Sequence, residues 1–100
     1  MIVTTVDDAG SLRVVVGRDL DGVSAPHLVA RAVPLLNVHK PVVLDVSGVE
    51  FIDSTGISAV VRIARLAERQ GCPLRITRFT AAVTRKLEVT GVLGVLPIEA

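Results

Sequence analysis

Apolar residues fall into short Val-rich runs and longer spaced stripes, and the two kinds alternate along the chain. Residues 2–6 and Leu12 to Val16 are runs of the first kind, separated by the turn chemistry of Asp7-Asp8-Ala9-Gly10-Ser11. They predict two strands that can pair as a hairpin with a loop longer than the minimal one. Gly17-Arg18-Asp19-Leu20-Asp21-Gly22 is polar and flanked by glycine, which predicts a loop. Ser24 is placed as a helix N-cap, with Pro26 in the first turn, where a missing N–H costs little. Leu28, Ala32, Leu35 and Leu36 then recur at helical spacing. Pro34 removes a backbone donor and crowds the preceding turn, so it is expected to kink the helix or end its regular part.

Val42-Val43-Leu44-Asp45-Val46 is a short, mostly apolar run that suits a buried central strand. Asp45 is its one charge, and a carboxylate buried there needs a partner. Ser47 to Glu50 breaks the run, Phe51-Ile52 resumes it, and Asp53-Ser54-Thr55-Gly56 follows as a polar loop. From Ile57 the helical pattern is the clearest in the chain. Ile57, Val60, Val61, Ala64 and Ala67 form one stripe, widened by Ile63 and Leu66, while Arg62, Arg65, Glu68 and Arg69 fall on other faces. Gly71 and Pro73 are placed to end that helix. Leu74-Arg75-Ile76-Thr77 alternates as a strand. Thr80 is a cap for a third helix through about Val89, with Val83 and Leu87 at spacing i, i+4. Gly91 and Gly94 mark its exit, and Val95-Leu96-Pro97-Ile98 reads as a last edge strand.

This order predicts an α/β fold: a small mixed β-sheet of four to five strands packed with three or more helices. A chain of 100 residues accommodates one such domain, spanning residues 1–100. No internal repeat or linker interrupts it. Half of the residues are hydrophobic and 21% are charged, which is a globular balance.

Charge and composition narrow the partners. Lys and Arg number 11 against 10 Asp and Glu, so a net charge of +1 supplies no general field for nucleic acid or an anionic membrane. With no Trp or Tyr and only two Phe, base-stacking platforms are disfavoured. Cys72 is the only cysteine, so an internal disulfide and a cysteine metal cage are both excluded. The N-terminal residues lack the pattern of a signal peptide, and no apolar run approaches the roughly 20 residues of a bilayer span. The expected compartment is the reducing cytoplasm.

The candidate chemistry lies at Asp53-Ser54-Thr55-Gly56. A junction between the carboxyl end of a strand and the amino end of a helix exposes backbone N–H groups and the positive end of a helix dipole. Ser54 and Thr55 add hydroxyls, and Gly56 allows another surface to approach closely. The same residue types also serve as an ordinary N-cap and turn.

Residues Val42 to Ile57 resemble the signature of the STAS domain family, which includes the bacterial anti-sigma factor antagonists. Gly17 through Leu20-Asp21 is similar to that family's Gly-x-Leu-Asp loop, with one extra residue between Gly and Leu. Gly71 to Ile76, then Val83 to Leu87 with Thr90-Gly91-Val92, fit its later elements. The resemblance implies a STAS-like fold and a phosphorylation switch. Ser54 would be the acceptor, the enzyme a cognate anti-sigma factor serine kinase, and a PP2C-type phosphatase would reverse the modification. The unphosphorylated protein would bind the kinase and so release a sigma factor. Thr55 stands where many relatives have a second Ser. Asp19, Asp21, Asp53, Ser54, Thr55, Gly56 and Ile57 would form the partner-binding face. No cofactor, metal or catalytic residue is implied, and a homodimer stays open.

Other signals are weaker. Gly17 to Gly22 followed by Val23-Ser24 lacks the lysine of a P-loop. His27 and His39 accompany no nucleophile elbow and are too few for a metal site. Arg62, Arg65 and Arg69 can share a helix face, either solvated or facing an acidic partner. Two alternatives remain. One is a STAS adaptor subunit of a larger assembly, such as a lipid-transport ATPase complex or a stress-signalling scaffold, without regulated phosphorylation. The other is a small-ligand sensor or hydrolase, which requires a concave pocket with convergent polar groups.

Overall fold

The alternation in Leu12-Arg13-Val14-Val15-Val16 becomes the two faces of a sheet. The structure, a computed structural model, describes residues 2–6, 10–37 and 40–99. Strand β1 (Ile2–Val6) runs antiparallel to β2 (Leu12–Val16), pairing Ile2 with Val16 and Val6 with Leu12. Of the turn expected between them, Asp7, Asp8 and Ala9 lie outside the described residues. Strand β4 (Val42–Asp45) lies parallel to β2, and β6 (Leu74–Ile76) lies parallel to β4, so the sheet order is β1-β2-β4-β6.

Leu12, Val14, Val16, Val42, Leu44 and Ile76 share the face that carries the core. Helices α1 (Ser24–Ala32), α2 (Ser54–Gln70) and α3 (Ala81–Glu88) add Leu28, Ile63 and Leu87 to the same cluster. Val42, Val43 and Leu44 are all buried, as a strand with neighbours on both sides requires. The other face holds the expected partner of Asp45. Arg13 donates to its Oδ2 at 2.6 Å, while Ser47 donates to Oδ1 through both its hydroxyl (2.6 Å) and its N–H (3.1 Å). Burial alone would raise the Asp45 pKa, but the Ser47 bonds and the Arg13 charge outweigh it and hold the carboxyl below its ordinary value.

Two further strands lie apart from this sheet. β3 (Asp19–Leu20) and β5 (Phe51–Ile52) pair in parallel, Asp19 with Phe51 and Leu20 with Ile52. The segment from Gly17 to Gly22 is therefore a short strand with flanking turns, where its polar composition predicted only a loop. Leu20, fully buried, is the apolar anchor inside that polar stretch.

The helices begin earlier than their apolar stripes. Ser24 is the first residue of α1, and the cap position falls on Val23, which makes no side-chain cap bond. Asp21 serves that end instead, accepting from the N–H groups of Val23 and Ser24 at 3.0 Å each. After Ala32 the chain tightens into a 3₁₀ turn over Val33–Asn37, because Pro34 has no N–H for the next α-helical bond. Helix α2 starts at Ser54, so Ser54, Thr55 and Gly56 are its first turn rather than a loop. Its most buried line is Gly56, Ala59, Val60, Ile63 and Ala67, whereas Ile57, Val61, Ala64 and Leu66 are half-buried flanks. Gly71 ends α2 with φ of 69°, a left-handed conformation glycine adopts without strain. Thr80 caps α3 by accepting from the Val83 N–H at 3.3 Å. Beyond it, Val92–Val95 forms a 3₁₀ turn, and the edge strand expected over Val95-Leu96-Pro97-Ile98 is reduced to a single bridge from Ile98 to Ile76.

The Asp45 cluster sets an acid-sensitivity test. Its folded pKa lies below the unfolded value of 3.8, so the stabilisation is complete above that value and fades as pH falls through it toward the lower folded value. Asp45→Asn is expected to lose about 1–2 kcal/mol at pH 7. Urea denaturation should show the gap from wild type holding from pH 7 down to about pH 5 and narrowing as pH falls below 3.8.

Candidate phosphorylation and docking site

The small β3–β5 pair positions the start of α2. Arg18 O accepts from the N–H groups of Glu50 (2.8 Å) and Phe51 (3.2 Å), and Leu20 O accepts from the Asp53 N–H at 3.3 Å. Asp53 is extended and caps α2: its Oδ1 accepts from the Gly56 N–H at 3.0 Å, and its carbonyl accepts from the Ile57 N–H at 2.9 Å. The helix therefore begins on a fixed strand end: the Asp53 side chain satisfies one orphan donor, the Gly56 N–H, and its carbonyl takes the first helical bond.

Gly56 is buried, and a Cβ there would overlap the Leu20 carbonyl oxygen and stand 2.9 Å from its carbon. The close approach expected at Gly56 is thus made inside the chain, by Leu20, and no face of Gly56 is left for a partner. Ile57 is half-buried against the core, so part of its apolar surface is already spent inward.

Ser54 is exposed, and its hydroxyl makes no hydrogen bond among the described residues. Thr55 is also exposed and turns toward α1. It lines an apolar groove of about 420 Å³ with Ala25, Pro26, Val29, Ala30, Ser58, Ala59 and Arg62. Asp19 and Asp21 flank Leu20, so the Leu20–Asp53 bond brings both next to the Asp53-Ser54 step. Asp21 is not free to roam. Ser24 Oγ receives the Asp21 N–H at 2.9 Å and donates to the Asp19 carbonyl at 2.8 Å. The Ser24 and Val23 N–H groups bonded to the Asp21 carboxylate hold its pKa below the ordinary value.

The inserted residue in the Gly17–Asp21 loop is accommodated at the surface. Arg18 pairs with Glu50 at 2.5 Å, with both side chains largely in solvent, a pair of little energetic weight. Lys86 is the residue that reading along the chain does not reveal. It lies on α3, yet its Nζ donates to the Ile52 carbonyl at 3.0 Å and stands 5.0 Å from the centroid of Phe51. Phe51 is 48% exposed at the edge of the site. Contact across 34 positions carries no local signal; an exposed aromatic beside the candidate motif is its only sequence hint.

The remaining candidates lie elsewhere. His27 is exposed on α1, and His39 falls outside the described residues. Cys72 sits at the end of α2, its thiol pKa raised by burial, which disfavours the reactive thiolate. No group of three or more potential metal ligands occurs among the described residues, and no helix there is long and apolar enough to cross a membrane.

The mixed sheet, the three helices and the strand-to-helix junction carrying Asp-Ser-Thr-Gly agree with the fold expected from the resemblance to STAS domains. The chain belongs to that family: the description "Mlab, STAS domain" matches residues 3–97. It is 26% identical over 89 residues to the anti-sigma-B factor antagonist of Bacillus subtilis, covering 89% of this chain and 82% of that protein. It is similar to the crystal structure of an anti-sigma factor antagonist from Mycobacterium paratuberculosis, with 27% identity, a TM-score of 0.74, and coverage of 98% of this chain and 85% of that one. The Bacillus cell fate determinant SpoIIAA, solved in its phosphorylated form, shares the fold at 11% identity with a TM-score of 0.72, covering 100% of this chain and 92% of that one.

The Leu20–Gly56 approach can be tested directly. Gly56→Ala is expected to destabilise the protein by about 3 kcal/mol or more, since backbone must move to admit the methyl group. Gly22→Ala, whose Cβ would meet nothing within 4 Å, is the control and should stay within about 1 kcal/mol of wild type in urea denaturation.

Proposed function

We propose that this protein is an anti-sigma factor antagonist that binds an anti-sigma factor serine kinase and thereby releases a sigma factor, and that phosphorylation of Ser54 switches it off. The observation that carries this reading is the position of Ser54. It is an exposed hydroxyl, unbonded among the described residues, on the first residue of a helix whose start is fixed by other residues. Similarity to antagonists at 26% and 27% identity supports the class.

The switch is electrostatic. A phosphate on Ser54 adds about 1.5 to 2 negative charges at neutral pH. It stands next to Asp53 and close to Asp19 and Asp21, so a partner that covers this face must bury a dianion among carboxylates. Weakening the complex a hundredfold takes only about 2.8 kcal/mol, less than the penalty of one uncompensated buried charge. The amino end of α2 favours the phosphate in the free protein. No hydrogen bond of the frame passes through the Ser54 side chain, so the fold can hold its shape while its charge changes. The unmodified face offers Asp19, Asp21, Asp53, Ser54 and Thr55, with the apolar groove between α1 and α2 continuing it. A PP2C-type phosphatase restores this form. The protein is the binding partner and the phosphoryl acceptor, and catalyses nothing itself.

An adaptor subunit without regulated phosphorylation would use the same face, and phosphoryl transfer separates the two roles. Each anti-sigma factor serine kinase of the source organism, purified, is incubated with ATP and this protein, and intact mass is read. A cognate kinase should add one phosphoryl group to wild type and none to Ser54→Ala, and the modified protein should bind that kinase about a hundredfold more weakly. A kinase that binds tightly without modifying Ser54, or that modifies Ser54→Ala as well as wild type, overturns the proposal.

A further inference from the structure

We infer that Lys86 is the counter-ion of phosphorylated Ser54, an inference that rests on Ser54 being the acceptor. Helix α3 places its ammonium on the Ile52 carbonyl at 3.0 Å and over the Phe51 ring at 5.0 Å. Ile52 is two residues from Ser54, so their Cα atoms are no more than about 7 Å apart. The lysine charge therefore already touches the strand that leads into the acceptor.

No carboxylate pairs with Lys86 among the described residues. Its present partners are a neutral carbonyl and the face of an exposed ring. A phosphate oxygen is a stronger acceptor than either, because both sides of that bond are charged. The four-carbon stem lets the ammonium swing while α3 stays in place. Among the other cations, Arg62, the first arginine along α2, lies eight residues from Ser54, about 12 Å down the helix axis. Arg18 is held by Glu50 only in an exposed, weak pair, and the comparison with Lys86→Gln separates its contribution from that of Lys86.

Capture of Lys86 has a second consequence. The ammonium leaves the Phe51 ring, so the modified face differs from the unmodified one in the surface it presents as well as in charge. Phosphorylation would then alter a half-exposed aromatic at the rim of the docking face without moving a helix or strand.

The experiment uses full-length protein with phosphoserine incorporated at position 54 during translation, so it depends on no kinase. Phosphorus-31 NMR titration reads the second ionisation of the phosphate. In wild type this pKa should lie about half a unit or more below that in Lys86→Gln, with Lys86→Arg restoring most of the difference. The Lys86 Cε and Phe51 ring resonances of wild type should also shift on phosphorylation. Equal phosphate pKa values in wild type and Lys86→Gln overturn the inference. Unmoved Lys86 and Phe51 resonances overturn it in wild type alone, whatever the variant's stability. Failure of every kinase to modify Ser54 would remove the proposed function, while this titration would still report whether Lys86 meets a phosphate there.

Discussion

The approach of the Leu20 carbonyl to the backbone of Gly56 is the constraint on which the site depends. It is possible only because position 56 has no Cβ. With the two backbones in contact, β3 can pair with β5, and the Leu20 carbonyl receives the Asp53 N–H. That bond fixes the residue before α2 and brings Asp19 and Asp21 against the helix start. A side chain at position 56 would force β3 outward and separate the acidic loop from the serine. The platform is thus built from backbone contacts together with the side-chain caps of Asp53 and Asp21.

This division of labour suits a switch by charge. Asp53 caps the helix, Gly56 packs inside, and Leu20 and Ile52 are buried. In the first turn of α2, Ser54 and Thr55 are both exposed with no side-chain hydrogen bond among the described residues, and of the two only Thr55 lines the groove against α1. A modification at Ser54 changes the electrostatics of the face at little cost to the fold. The same modification at Ser24 would break the network that holds the start of α1. The core needs no such arrangement. It is a continuous apolar cluster in which no described polar residue is fully buried.

Much of this was legible along the chain where the physics is local. The Val-rich alternation at Leu12 to Val16, the unbroken run at Val42 to Leu44 and the Thr80 and Gly71 helix ends all follow from side-chain period and capping chemistry. The partner for Asp45 was required by its burial, though nothing local identified Arg13. What was not legible depends on contacts between distant segments. Asp19-Leu20 looks like loop because its polar neighbours mask one buried leucine, and its strand character comes from Phe51-Ile52, some thirty residues away. Helix α2 starts three residues before its apolar stripe because Asp53 caps it, so a motif that reads as loop is the first helical turn. Gly56 looks like a place for a partner, and the partner is Leu20. Lys86 reaches the site only through the packing of α3.

Native-state hydrogen exchange at the start of α2 tests the central claim most directly. The amides of Asp53 and Gly56 bond to Leu20 O and to the Asp53 carboxylate. If the platform is as rigid as its contacts imply, these amides exchange only through openings nearly as costly as global unfolding, comparable to Val14 in the central sheet. Exchange of both at close to free-peptide rates, with Val14 still protected, would show a frayed helix start and contradict the account.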